Sequence, residues 1–413
     1  MPTRLAYKAV AQNFAFNFYL PEIPLKYDPN LRQATYTPIT KANLAQYKAW
    51  LISVFFIFAF VTMGSATYLI VRQIVKPNPR VTMVQLFMGC MLNAAGGLVM
   101  AMVFYALKNG PEATQWVNLL IRLHTEMFPE IGVGVKSRYP IWKTSTGEYD
   151  TFGISVTILL YPLIFFPAVA TSFGIAANMD VYHHFWYDVL PANVSNHVWT
   201  QVVIKFFSTL FAYSGFAESC RMLAIMGMLL IATVQLIARI VEGLASRDIE
   251  GLGTAESIYQ TFVYLRIVEA TIGDLEATLT LILIESGIWI CAASIFANLR
   301  LFSILPLGVF VMFPFFTIVT LGIAQQLLPA LTNIHENSET ALTKWMEQLR
   351  KNENVGGDQR YLRRKFLPLR PIRFKAGFNG FTFFVLDKST KTYFLGSVLD
   401  NAINLLMAIP ELG

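Results

Sequence analysis

Long apolar stretches separated by shorter polar ones dominate the chain. Seven are candidates for membrane crossing: about 49–71, 82–107, 152–178, one inside a run from 198 to 241, 275–298, 302–328 and 392–409. A helix needs about 20 apolar residues to cross the hydrocarbon, and the first, second, third, fifth and sixth meet that length. The run from 198 to 241 is interrupted by Glu218-Ser219-Cys220-Arg221. No Pro or Gly-Asn turn separates its two halves, so it reads as one long tilted helix. The last stretch is short and contains Asp400, Asn401 and Asn404. An Asp at the bilayer centre costs roughly 2.5–3.5 kcal/mol, so this segment needs protein or water around it. The expected fold is all-α, a seven-transmembrane-helix membrane protein.

Composition narrows the reading further. Of 413 residues 55% are hydrophobic and 14% charged, against about 25% charged in soluble domains. That balance excludes a disordered chain, a collagen and a nucleic-acid-binding domain with a large basic face. Three cysteines exclude a disulfide scaffold; Cys90, Cys220 and Cys291 lie in apolar runs and read as small buried hydrophobes. The first 48 residues, broken by Pro21, Pro24, Pro29 and Pro38, do not read as a signal peptide.

The basic residues set an orientation. With seven spans and a cytoplasmic N-terminus, 25 of the 32 Lys and Arg fall on the cytoplasmic side and four outside, the other three lying within the long fourth segment. This favours N-in and C-out. The sequon Asn193-Val194-Ser195 then falls outside, making Asn193 a glycosylation candidate. The chain divides into a cytoplasmic segment 1–48, a six-helix bundle 49–328, a cytoplasmic region 329–391 and a final helix with a short tail, 392–413.

The 329–391 region is the most polar. Leu342, Trp345, Met346 and Leu349 recur at helical spacing, an amphipathic face. A solvated loop drawn to anionic lipid is one reading. The sharper one is an assembly region whose Trp345 and Leu349 bury against copies of itself. Glu218 and Glu285 are acidic residues within apolar runs, where ionisable groups are functional candidates; Arg221 offers Glu218 an intrahelical partner. Tyr213, Ser214, Trp289, Asn298, Phe310 and Phe315 fall in the outer halves of spans four to six. They serve either as packing and interface belts or as walls and anchors of an apolar ligand pocket. Asp180, His183, His184, Asp188 and His197 match no known metal-ligand spacing, and the adjoining Tyr182-x-x-Phe185-Trp186-Tyr187 reads as an interfacial cover. Catalytic motifs are absent, so no enzyme and no cofactor is expected.

Two local patterns then carry a resemblance. One is Trp116-Val117-Asn118-Leu119-Leu120-Ile121-Arg122-Leu123 after span two. The other is Arg370-Pro371-Ile372-Arg373-Phe374-Lys375-Ala376-Gly377-Phe378, followed by Phe384-Val385-Leu386-Asp387 ahead of the short final span. With the length and the N-in topology, the chain resembles the arthropod chemoreceptor superfamily of insect-type odorant and gustatory receptors. The gustatory branch ends in Thr-Tyr, five apolar residues and Gln-Phe. Neither Thr392-Tyr393 nor Asn401-Ala402 begins that motif here, and the branch stays open.

The resemblance implies a tetrameric, ligand-gated, nonselective cation channel in the plasma membrane of a sensory neuron. It would be a homotetramer or a heterotetramer with a co-receptor subunit. A small odorant- or tastant-like molecule binds in the outer half of each bundle, and four final helices line the pore. Asp400 and Asn404 share a helix face. Four copies of Asp400 would form an acidic ring for cations, with Leu405, Leu406 and Ile409 as a hydrophobic gate; alternatively, the polar face bonds a neighbouring helix. A small-solute transporter is the competing class, although no internal repeat is visible. A seven-span receptor signalling through a cytoplasmic partner is a third.

Overall fold

The structure is a computed structural model that describes residues 3–79, 81–128, 140–143, 147–177, 181–191, 197–351, 359–378 and 380–409. Asn193 with its sequon, Asp180, and the side chains of His183 and His184 lie outside what is described. The elements in chain order are α1 (Arg4–Phe16), a hairpin of β1 (Leu25–Asp28) and β2 (Gln33–Tyr36), α2 (Leu44–Val75) and α3 (Met83–Met127). Then come α4 (Thr151–Ala176), α5 (Val181–Val189), α6 (Val198–Ser246), α7 (Leu252–Arg300) and α8 (Leu307–Lys351). The chain closes with α9 (Gln359–Phe366), a second hairpin of β3 (Lys375–Phe378) and β4 (Phe381–Val385), and α10 (Lys388–Ala408).

Local chemistry marks the helix starts. Thr82 and Gln85 form a capping box on α3, and the Asp150 side chain accepts from the Gly153 amide at the start of α4. Asp387 caps α10, accepting from the Ser389 amide at 2.9 Å. Within α2 the backbone winds in wider i→i+5 turns over Ile52–Met63. The Thr62 hydroxyl donates five residues back to the Ile57 carbonyl at 3.0 Å.

Six helices among the described residues are long and apolar enough to cross a membrane: α2, α3, α4, α6, the Glu276–Arg300 part of α7, and α8. The run from 198 to 241 is one continuous helix, as its lack of a turn signal predicts. The expected seventh crossing is a helix, α10, but its Lys388, Lys391, Asp400, Asn401 and Asn404 keep it outside that set. It nevertheless runs beside the apolar part of α7. Its start lies by Thr332, whose Oγ1 is 3.3 Å from the Asp387 carbonyl oxygen, and its far end reaches the groove beside Leu301.

The helices outrun the bilayer. At 1.5 Å per residue, the 49 residues of α6 or α7 extend about 74 Å, more than twice a ~30 Å hydrocarbon core. The expected boundary near 329 therefore falls inside the continuous α8, and the C-terminal end of α6, the N-terminal end of α7 and the C-terminal end of α8 build the polar region together. α6 is the hub, touching α2, α3, α4 and α8.

The largest core cluster runs from the apolar part of α7, at Ile284, Ile288 and Cys291, into this polar region. Trp345 is 0% exposed, edge-on to Phe262 and Phe366 at centroid distances of 5.8 and 5.9 Å, and its Nε1 donates to the Arg247 carbonyl at 3.3 Å. Leu349 is buried beside it in the same cluster. The assembly role expected for Trp345 and Leu349 is thus corrected. The amphipathic face is real, but the chain's own α7 and α9 cover it, so neither side chain reaches a neighbouring copy. Lys344 Nζ, on the same helix, donates to the Ala245 carbonyl at 3.1 Å and pairs with Asp248 at 2.9 Å, fixing the turn between α6 and α7.

Candidate ligand cavity

Toward the opposite end of the bundle, α2, α3, α4, α6 and α8, with Ile290 of α7, line a cavity of about 130 Å³ roofed by α5. Small side chains open the space. Ala95 and Gly96 of α3, Ala170 and Gly174 of α4, and Ala212 of α6 all line it, and a Cβ at Gly174 would meet nothing within 4 Å. Large rings bound it, including Phe58, Phe166, Phe313 and Phe316, with Phe166 and Phe316 centroids 5.1 Å apart. A dry apolar cavity of ~150 Å³ accepts benzene, so this one suits a single-ring molecule.

The few polar groups in the wall are not alike. Because the Thr62 hydroxyl donates to the Ile57 carbonyl, it accepts from Tyr182 Oη, 2.7 Å away. That bond holds α5, whose Tyr182 is 2% exposed, onto α2. Ser219 donates to the Gly215 carbonyl at 2.8 Å. Thr171 differs: it is buried, and its Oγ1 has no hydrogen-bond partner among the described residues. Elsewhere on these helices Thr157, Thr233, Thr317 and Thr332 each donate to the carbonyl four residues back. An orphaned buried hydroxyl costs about 1–3 kcal/mol. In a cavity wall it is also a ready-made anchor for a ligand's polar atom.

The roof is tied down by charge as well. Asp188 of α5 pairs with Arg72 of α2, and Tyr68 Oη donates to Asp188 Oδ2 at 3.3 Å. Phe185 stacks edge-on against Tyr68 at 5.5 Å. Asp188, grouped with histidines in the sequence, is an ion-pair partner here, and no cluster of metal-ligating side chains occurs among the described residues.

None of the seven expected ligand contacts lines this cavity. The helical period explains the misses on α6. Phe216, Ser219, Cys220 and Leu223 share one face and reach the cavity, which turns Tyr213, Ser214 and Glu218 away. The Tyr213 ring meets Tyr19 at 6.5 Å, and Ser214 Oγ lies 3.2 Å from Ser53 Oγ. Glu218 is sealed in a bidentate pair with Arg221, Nε to Oε2 at 3.0 Å and Nη2 to Oε1 at 2.5 Å, while Arg221 Nη1 donates to the Pro21 carbonyl at 2.6 Å. The partner offered by sequence spacing is the one it takes, and the pair anchors the N-terminal segment.

Phe315 stands one layer behind the wall, stacked on Phe166 at 4.9 Å. Phe310 packs on Phe302 at 5.2 Å. Glu285 is half-buried on α7, and Trp289 lines a separate groove between α3, α7 and α10. Asn298 Nδ2 donates to Thr317 Oγ1 at 3.3 Å. The polar lining residues that sequence reasoning did not single out, above all Thr171 and Tyr182, come from α4 and α5. The aromatic run around Tyr182 was legible as a cover, but nothing in the pattern at Thr171 marks an unpaired hydroxyl.

The last helix presents two faces. Thr390, Phe394, Val398 and Ala402 are buried, and Leu405 and Ile409 continue that side into the groove with Trp289. Asp400, Asn404, Tyr393, Ile403 and Met407 are exposed on the other side. Asp400 and Asn404 share a face as their spacing requires. Leu405 and Ile409 lie across the helix from them, with Leu406 half-buried between. Cys220 and Cys291 are buried, whereas Cys90 is exposed and borders the groove beside α10, a correction to its expected burial.

Among solved structures, the chain is similar to "the insect olfactory receptor OR5 from Machilis hrabei in complex with eugenol", with a TM-score of 0.49 and 10% sequence identity over 97% of this chain and 98% of that one. A second structure of that receptor is similar with a TM-score of 0.43 and 12% identity over the same shares of the two chains. No protein-family profile and no curated protein matches the sequence.

Proposed function

We propose that this chain is a chemosensory receptor of the plasma membrane, a cation channel opened by a small, largely apolar molecule bound under α5. The observation that carries the reading is the enclosed apolar cavity with the unpartnered Thr171 hydroxyl in its wall. Its size favours one ring with a short substituent, and its single orphan acceptor-donor favours a ligand with one hydroxyl, ether or carbonyl group. In this reading the N-terminus is cytoplasmic, α10 is the seventh crossing, and its exposed Asp400–Asn404 face lines a pore shared by four copies. Asn193 is glycosylated on the outer side.

The test is electrical. Expressed alone or with a co-receptor subunit, the chain should pass ligand-evoked inward current within milliseconds. Ala212→Phe, which fills the cavity, should abolish the response while leaving surface expression intact. Asp400→Asn should lower cation conductance and weaken divalent block without moving ligand sensitivity. A current that saturates with substrate and vanishes without one coupling ion would replace the channel by a transporter.

A further inference from the structure

A second, polar recess of about 300 Å³ lies at the inner end of the apolar part of α7, behind the β3–β4 hairpin. We propose that it holds the phosphate headgroup of an anionic phospholipid, with the hairpin's phenylalanines seated among the acyl chains. α7 supplies Arg266, Glu269 and Glu276; the hairpin and the residues before it supply Arg373, Lys375 and Phe381. Arg266 is paired with Glu269, which also accepts from the Arg373 amide at 3.3 Å, so that carboxylate is already engaged. Lys375 and Glu276 both line the recess. The guanidinium of Arg373 makes no ion pair among the described residues, and three cations against two carboxyl groups leave the recess with at least one net positive charge. That complements a singly charged phosphodiester.

Depth selects a lipid over a soluble anion. Glu276 is the last charged residue before the apolar run Ala277–Ile284 of α7. At the rim, Phe378, Phe381 and Phe383 are 60%, 74% and 64% exposed. Aromatic rings with cations beside them are the composition of a membrane interface. The hairpin is built to hold this shape. Gly377 sits at a bulge where a Cβ would strike the Phe381 carbonyl, and Gly380 takes φ +83° in the turn. Because Asp387 at the end of the hairpin caps α10, a lipid bound here would steady the base of the last helix. Only the choice of the cytoplasmic leaflet rests on the orientation proposed above.

The experiment is native mass spectrometry of the full chain released from nanodiscs of phosphatidylcholine mixed with phosphatidylglycerol. Both leaflets carry both lipids, so the outcome does not depend on topology or on channel activity. The wild type should retain phosphatidylglycerol several-fold over phosphatidylcholine. Arg373→Gln with Lys375→Gln should erase that preference, Arg373→Lys should keep it, and Arg360→Gln with Arg364→Gln, away from the recess, should leave it unchanged. Phe381→Ser should reduce retention of both lipids. Equal retention by the wild type, or a preference surviving Arg373→Gln with Lys375→Gln, would overturn the proposal. So would displacement of the lipid by equimolar inorganic phosphate, which would mark a soluble-anion site. A Phe381→Cys variant that cross-links to a second copy would overturn it in favour of a subunit contact.

Discussion

The two ends of this molecule solve one packing problem in different solvents. At the end where α6, α7 and α8 build the polar region, one continuous core surrounds Trp345, Phe262 and Phe366. The opposite end is divided into smaller apolar clusters around an open cavity. In water, burying an apolar face is strongly favourable. In lipid the tails are as apolar as leucine, so helices are held by close packing and by polar bonds between them. Ser53–Ser214 and Thr62–Tyr182 are such bonds, and both lie in the cavity half.

Substitutions can break this contrast. The largest effect should come from Trp345→Ala, which empties a sealed site in the water-facing core and should cost about 4 kcal/mol. Thermal unfolding of the detergent-purified chain measures it, and a loss below 1 kcal/mol would mean the inner core is not the stabilising half. Next is Arg221→Met, which strands a buried carboxylate and frees the Pro21 carbonyl, costing about 3 kcal/mol. Adding Glu218→Leu should recover part of that loss; if the double variant is worse than the single, the pair is not what holds that site.

Smaller effects sharpen the comparison. Thr171→Val keeps shape and removes the orphan hydroxyl. It should leave stability unchanged or slightly higher, while a ligand with one polar atom loses about 1 kcal/mol, roughly fivefold in half-maximal concentration. Purely apolar ligands should be unaffected, and a uniform loss across both kinds would remove Thr171 as the anchor. The smallest effect concerns the cap of α10. Hydrogen bonds from Ser389 and Thr390 hold the Asp387 carboxyl below its ordinary range. Its contribution is therefore fully present above the unfolded pKa of about 3.9 and is lost as pH falls through the lower folded value. Hydrogen exchange at residues 389–391 should rise in Asp387→Ala at neutral pH and hardly change in Asp387→Asn. Equal protection in both would show that the cap does not order the helix start.

Much of the frame was legible in the chain. Six apolar helices follow from run lengths, and the unbroken α6 follows from the lack of a turn signal between 206 and 238. The Glu218–Arg221 pair follows from a three-residue spacing on one helix. The amphipathic face at Leu342, Trp345 and Leu349 was also legible, but its partner was not, because periodicity reports that a face is buried and not what covers it. That the expected ligand residues do not line the cavity under α5 has a related reason. Choosing the outer halves of spans four to six sets depth along the axis, and the cavity depends on rotation about it, which is fixed by contacts with α2, α3 and α4.

Sequence alone thus determined which segments are helical, how long they are and which neighbours along one helix pair with each other, since all of these are set within a few residues. Only the tertiary structure decided that Trp345 looks inward, that Leu405 and Ile409 stand across α10 from Asp400, and that Thr171 lacks the bond its fellow threonines make. Each depends on which surface a distant helix brings against that face, and in an all-apolar bundle many pairings satisfy the same hydrophobic pattern.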